Sequence, residues 1–368
     1  MLSTTGRKAL TATAALALTL TTAACGAANE KDAADGSAKG SAAATGTIKG
    51  AGASSMEKAQ NEWIATFTDE APQATVEYAP DGSGTGREKF INGAVAFAGT
   101  DSAMDDEEMA SAKDKGCPGE TIQFPVYVSP IAVAFNLSGI DNLNLDAPVI
   151  ADIFAGRITT WDDPAIAADN PGVDLPNTTI TPVNRSDESG TSKNFSAYLS
   201  EAAPQSWEHE PDDVWPIKGG EAAKGTSGVV DTIGAGEGNI GYADASQIGD
   251  LPAAKIKAGR EYIDYSPAAA AKILESATRT DKSSKTNYAV ELDRGNAGEG
   301  VYPVVLVSYA LACSEYEDPE VAATVKAYLE HATSAPGQEA ASEAAGSAPL
   351  SRTAAQNASD ALAEIATE

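Results

Sequence analysis

The sequence predicts an α/β fold with a mainly parallel sheet, in a chain divided into two domains. Three observations carry that prediction. Short β-type runs alternate with Ser/Gly turns and helical patterns, the rhythm of a parallel sheet covered by helices. Roughly 320 residues follow a polar tether near the N-terminus, more than one core usually holds. Two β-type runs, Phe124–Phe135 and Tyr302–Cys313, exceed the usual strand of about 5–6 residues, which suits strands that pass from one domain into the other. The first domain is then discontinuous, 47–127 and 303–368, with 128–302 as the second and the two crossovers as a hinge. Two ordinary central strands of a single sheet are the plainer reading of the same runs. Pro130 is expected to interrupt the first of them.

In chain order, residues 1–24 read as an export leader: Arg7 and Lys8, then an Ala/Leu/Thr-rich run too short for a comfortable membrane span. The leader ends TTAAC at Cys25, which resembles a bacterial lipobox, although Thr22 stands where an aliphatic residue is usual. Cys25 is expected to be lipidated, anchoring the chain to a membrane without spanning it. Residues 25–46 lack aromatics and branched aliphatics and read as a flexible tether. TIKGAG, ATVEYAPDG and VAFAGTD then read as strands, the first two running into the Ser/Gly turns that open helices and the third ending at Asp101. The acidic run Asp105–Glu108 reads as a solvated helix start. Val149–Asn184 reads as helix, turn, helix, loop and strand, with Trp161 a buried aromatic beside a capping Asp162. The Gly/Ser turn at 224–230 reads as structural, and NIGYADAS as a strand. From Pro319 onward, two helices flank a Gly/Ala-rich connector.

Composition narrows the function classes. An apolar content of 42% is ordinary for a globular protein. The formal net charge is −28, and about −30 without the leader, which argues against nucleic-acid binding. It does not argue against binding a small anion, because distant surface charges are screened over about 8–10 Å. With Cys25 lipidated, Cys117 and Cys313 remain, an even pair that predicts a disulfide in an exported chain. His209 and His331 are the two histidines, too few for a histidine-rich metal site, and both are expected at the surface.

Three stretches share one device. NRSDESGTSKNFSAYL, from Asn184, places Arg185 and Asp187 before a Ser189-Gly190-Thr191 turn that opens a helix. GAGASSMEKAQNEWIATF places Ser54 and Ser55 before another helix, and APDGSGTGREKFING places Ser83 in a glycine-rich turn before a third. A helix N-terminus presents unpaired N–H groups and a positive dipole end, which favours anions. Each turn alone is equally an ordinary cap, and Arg185 with Asp187 equally a surface ion pair. Together the three predict one oxyanion site, with Arg185 supplying a planar charged fork.

The motifs GAGASS, GSGTG, AGTDSAM, FAGRITTWDDPAI, NRSDESGTS and NIGYADAS occur in the order found in the phosphate-binding protein of the bacterial phosphate-specific ABC transporter. The chain resembles that family from about Thr47 to its C-terminus. The resemblance implies the two-lobe, type II periplasmic-binding-protein fold, with two mainly parallel sheets flanked by helices and joined by two crossover strands. It implies that Ser54, Ser55, Ser83, Asp101, Arg185, Ser189, Gly190 and Thr191 hold inorganic phosphate and that Asp187 orients Arg185. It further implies delivery to the membrane permease subunits of an ABC importer, by a monomer on the outer face of the cell membrane. No cofactor, metal or catalytic residue is expected. Glu188 stands where the family has glycine and is expected to face solvent, and Ser55 stands where an aromatic is frequent. Rival readings are a binding protein for sulfate or molybdate, a secreted phosphatase, and a surface adhesin or structural lipoprotein. Against a phosphatase, the sequence carries neither a Gly-x-Ser-x-Gly elbow nor a P-loop lysine.

Overall fold

The computed structural model describes residues 44–367. The leader, Cys25 and the tether up to residue 43 lie outside the described residues. Thr45 already belongs to the fold: its N–H donates to Thr324 Oγ1 at 3.1 Å, and that hydroxyl donates to the Thr45 carbonyl at 2.7 Å.

Strand β1 (Gly46–Gly52) runs through a short 3-10 turn, Ser54–Met56, into α1 (Glu57–Glu70). Ala59, Trp63 and Phe67 fall on one face of α1 and are buried, as their helical spacing requires. Strand β2 (Ala74–Ala79) leads to α2 (Ser83–Ile91), and β3 (Phe97–Thr100) to α3 (Asp106–Lys115). A capping box starts α3: the Asp105 carboxylate accepts from Glu108 N, and Glu108 reaches back to Asp105 N. Next come β4 (Thr121–Phe135), β5 (Asn144–Leu145), α4 (Ala147–Phe154) and α5 (Pro164–Asp169). The cap of α5 is Asp163, which accepts from Ala165 N, and not Asp162, which is exposed and accepts from Asn177. Trp161 is buried as expected and donates to the Gly238 carbonyl at 3.1 Å.

The chain continues with β6 (Thr181–Arg185), α6 (Gly190–Ala202), β7 (Glu221–Ala223), α7 (Gly225–Ala235) and β8 (Asn239–Asp244). The smaller elements β9 (Lys255–Ala258), β10 (Glu261–Ile263), α8 (Pro267–Ala271), β11 (Thr278–Arg279) and β12 (Val290–Glu291) follow. Strand β13 (Val305–Cys313) then leads to α9 (Pro319–Thr333), α10 (Ala335–Ala345) and α11 (Arg352–Ala363). The Gly/Ala-rich connector is thus a helix. Its proline lies in the first turn, where the missing N–H has no intrahelical partner to lose, and Ser334 caps it. His331 is buried rather than at the surface, against Thr66 Oγ1 at 2.8 Å and Glu70 at 3.1 Å.

The main sheet has eight strands in the order β2-β1-β3-β13-β4-β8-β6-β7. At one end β1, β2 and β3 are parallel, and at the other β6, β7 and β8 are parallel. Antiparallel pairing of β13 with β4 joins the two halves. Each half has its own core. Trp63, Phe97, Phe124, Tyr328 and Leu362 fill the first lobe, whereas Phe135, Phe154, Trp161, Phe195 and Tyr242 fill the second. Thr121–Pro130 of β4 pairs with β13, and Ile131–Phe135 pairs with β8. Pro130 does not interrupt the strand. It sits where β4 changes partner, a place where a missing N–H is tolerated.

Cys117 and Cys313 form a disulfide, with Cα atoms 5.4 Å apart. The bridge ties the segment after α3 to the end of β13 within a small apolar cluster that includes Phe90, Met104 and Leu311.

Candidate anion site between the lobes

The carboxyl ends of the parallel strands face one another across the lobes, and the N-termini of the helices that follow meet there. Asp101, immediately after β3, is the point of convergence and is 3% exposed. Its carboxylate accepts from Ser55 Oγ at 2.8 and 2.9 Å and from Thr191 Oγ1 at 3.0 Å. Ser308 Oγ donates to it at 2.7 Å, and its backbone N–H donates to Ser83 Oγ at 3.1 Å. All three predicted turns therefore reach Asp101 or the residue's own backbone. The helix after Asp101 begins at Asp106 under its own cap, so Asp101 is not a capping residue.

Arg185 ends β6 and is buried. Its Nε donates to Asp187 Oδ1 at 2.8 Å and its Nη2 to Oδ2 at 2.5 Å, a two-point pairing that fixes the plane of the guanidinium. Ser189 caps α6 through Ser192 N, leaving Gly190 and Thr191 as its first turn. Gly190 faces the other lobe so closely that a Cβ would lie 2.6 Å from Asp101 Cβ. Ser54 also bridges the lobes: its hydroxyl lies 3.0 Å from Thr226 Oγ1 and accepts from Thr226 N at 3.1 Å. Glu188 is exposed, as expected, and its carbonyl accepts from Gly84 N of the first lobe at 3.2 Å.

Burial pushes the Asp101 carboxyl above its ordinary pKa, opposed by the hydroxyls of Ser308, Ser55 and Thr191 and by the charge of Arg185. Burial acts on Asp187 in the same sense, but Arg185 and the Gly225 N–H outweigh it and hold its pKa below the usual range. One carboxylate thus remains a committed partner of the arginine. The other sits dry among hydroxyl groups, suited to share a proton with whatever binds beside it.

Several contributors were not anticipated from the sequence. The turn at 224–230, expected to be only structural, delivers Gly225 N to Asp187 and Thr226 to Ser54. Ser308 is the one polar residue in the apolar run VVLVSYALAC apart from its tyrosine and cysteine, and that isolation was its available signal. A register shift between Ser308 and Tyr309 adjoins it, the kind of bulge that re-aims a side chain. Among the described residues, no group of three or more His, Cys, Asp or Glu is arranged to hold a metal ion, and no helix is long and apolar enough to cross a membrane.

Comparison with known proteins places this geometry in a family. The PBP superfamily domain matches residues 37–336. The phosphate-binding protein PstS 3 of Mycobacterium leprae is 35% identical over 283 residues, 76% of this chain and 76% of the relative. The chain belongs to the PstS family. PstS 2 of Mycobacterium tuberculosis is 32% identical over 304 residues, 81% of this chain and 82% of the relative. Among solved structures, a high-affinity periplasmic phosphate-binding protein, PfluDING, superposes with a TM-score of 0.69 at 21% identity, covering 84% of this chain and 92% of that one. A putative phosphate ABC transporter substrate-binding protein from Clostridium perfringens gives 0.58 at 16% identity, covering 82% and 98%. At such identities these two speak to the fold: the two-lobe, type II periplasmic-binding-protein architecture. In this PstS member, the antiparallel pairing of β4 with β13 joins the two parallel halves of the sheet.

Proposed function

We propose that this PstS-family chain captures inorganic phosphate between its two lobes and delivers it to the permease of an ABC-type importer. The observation that carries the proposal is Asp101: a buried carboxylate at the meeting point of three helix N-termini, one arginine and several hydroxyls. Such a carboxylate repels an oxyanion unless the ligand brings a proton. Phosphate carries one near neutral pH and sulfate does not, so Asp101 selects between them. In this assignment Ser54, Ser55, Ser83 and Asp101 hold the ligand from the first lobe, with Arg185, Ser189, Gly190 and Thr191 opposite. Asp187 positions Arg185, and Thr226 holds Ser54.

The proposal extends to the rest of the chain. The lobe boundaries fall near residues 127 and 303. Residues 1–24 export the chain, Cys25 is lipidated, and a monomer works tethered at the outer face of the membrane. No catalytic step belongs to this role. Calorimetric titration with phosphate and with sulfate tests it: phosphate should bind and sulfate should not compete at comparable concentration. Equal affinities would remove both the ligand assignment and the role given to Asp101.

A further inference from the structure

We propose that Arg87 and Asp213 form an ionic latch across the two lobes, outside the anion site, and that the latch sets how long a bound ligand is retained. The inference rests on the phosphate reading above. Arg87 lies on α2 of the first lobe, and Asp213 on the irregular segment between α6 and β7 of the second. Arg87 Nη2 donates to Asp213 Oδ2 at 2.6 Å, across 126 residues of sequence. Ser102 Oγ, also from the first lobe, donates to Asp213 Oδ1 at 2.7 Å. Both carboxylate oxygens of Asp213 are thus held by the opposite lobe, and both residues are buried, Arg87 at 7% and Asp213 at 8% exposure.

The other partners of Arg87 belong to its own lobe: Glu108 at 2.9 Å, Thr100 at 3.2 Å and Ser102 at 3.1 Å. When the lobes part, Arg87 keeps a counter-ion in Glu108, while Asp213 is released to water. Neither charge is left buried and unpaired, so the latch opens without disrupting either lobe. Burying Asp213 costs hydration, so the pair tips closure rather than driving it.

The latch is also wired to the anion site. The Asp213 carbonyl accepts from Ser189 N at 2.9 Å, and Ser189 is the cap of α6. Seating Asp213 therefore seats the α6 N-terminus, whose Thr191 bonds Asp101. The contact forms only after the lobes meet, so it bears on release rather than capture. Arg87 and Asp213 are positioning residues: their donors and acceptors are taken up by one another and by Glu108, Thr100, Ser102 and Ser189.

The test is stopped-flow and calorimetric phosphate binding on wild type, Asp213→Asn, Arg87→Gln and the double variant, with thermal melts as a folding control. Asp213→Asn should raise Kd by about 10- to 100-fold, nearly all of it in the dissociation rate. The phosphate-to-sulfate ratio should stay as in wild type, and the double variant should be weaker than additive. A change in Kd under about 2-fold, a loss carried by the association rate, or an altered ratio would overturn the latch and leave the phosphate reading standing. A wild type that binds no phosphate would overturn the functional reading, and the retention role with it.

Discussion

Replacing Arg185 separates binding from folding most sharply. Its side chain is 3% exposed and its guanidinium is held at two points by Asp187, so it is a pre-oriented fork rather than a mobile charge. Arg185→Ala removes a charge-assisted, two-point contact from a poorly hydrated cleft. That loss is worth about 2–4 kcal/mol, or about 30- to 1,000-fold in Kd. Arg185→Lys keeps the charge but not the fork and should fall between wild type and Arg185→Ala. Folding should suffer less, because Asp187 retains the Gly225 N–H and some access to water. The Asp187 pKa should rise toward the ordinary carboxylate value once the arginine is gone. Its depressed native pKa contributes stability above the unfolded value of about 3.9, lost as pH falls through the native one, so the variant's stability should depend less on acid pH. Calorimetry gives Kd and melts at several pH values give the stability profile. A Kd within about 3-fold of wild type would refute this placement of the ligand.

Gly190→Ala should hinder closure rather than folding, since the added methyl meets Asp101 of the opposite lobe; we expect at least about a 10-fold weaker Kd, with scattering that stays open at phosphate concentrations that close wild type. Reducing the Cys117–Cys313 bond should destabilise the fold by up to about 5 kcal/mol, because it closes a 196-residue separation, and a melt unchanged by reductant would contradict this. Asp244 is buried beside Tyr127 at the crossover, and burial pushes its pKa up to about 7. The native state therefore keeps a proton that the unfolded chain loses, and stability falls as pH rises from about 4 to about 7. Asp244→Asn should remove that component and gain stability relative to wild type at pH 8 more than at pH 5; an equal effect at both would count against it.

The parts of the fold that depend on local pattern were legible. The strand–turn–helix rhythm located β1 to β3 and their helices, and three Ser/Gly turns located most of the candidate site. The overlong runs located β4 and β13, and an even cysteine pair located the disulfide. What escaped depends on distance in space. Arg87 and Asp213 meet across 126 residues of sequence, and no local spacing records it. Ser308 and Thr226 enter the site through a bulge and a helix end that looked ordinary in sequence. His331 looked like a surface residue because its partners, Thr66 and Glu70, lie on a helix more than 250 residues earlier. Composition also misled: glycine and alanine between α9 and α11 suggested a mere connector, although the segment forms α10 with its proline in the first turn.

Competition between phosphate and sulfate on wild type and Asp101→Asn tests the role of Asp101 most directly. Wild type should prefer phosphate by at least about 10³-fold, equivalent to roughly 4 kcal/mol. A dry carboxylate facing an unprotonated oxyanion should supply several kcal/mol of that difference. Asp101→Asn should keep binding phosphate, because the amide both donates and accepts, and should narrow the gap to sulfate. Equal affinities in wild type, or an unchanged ratio in Asp101→Asn, would contradict it.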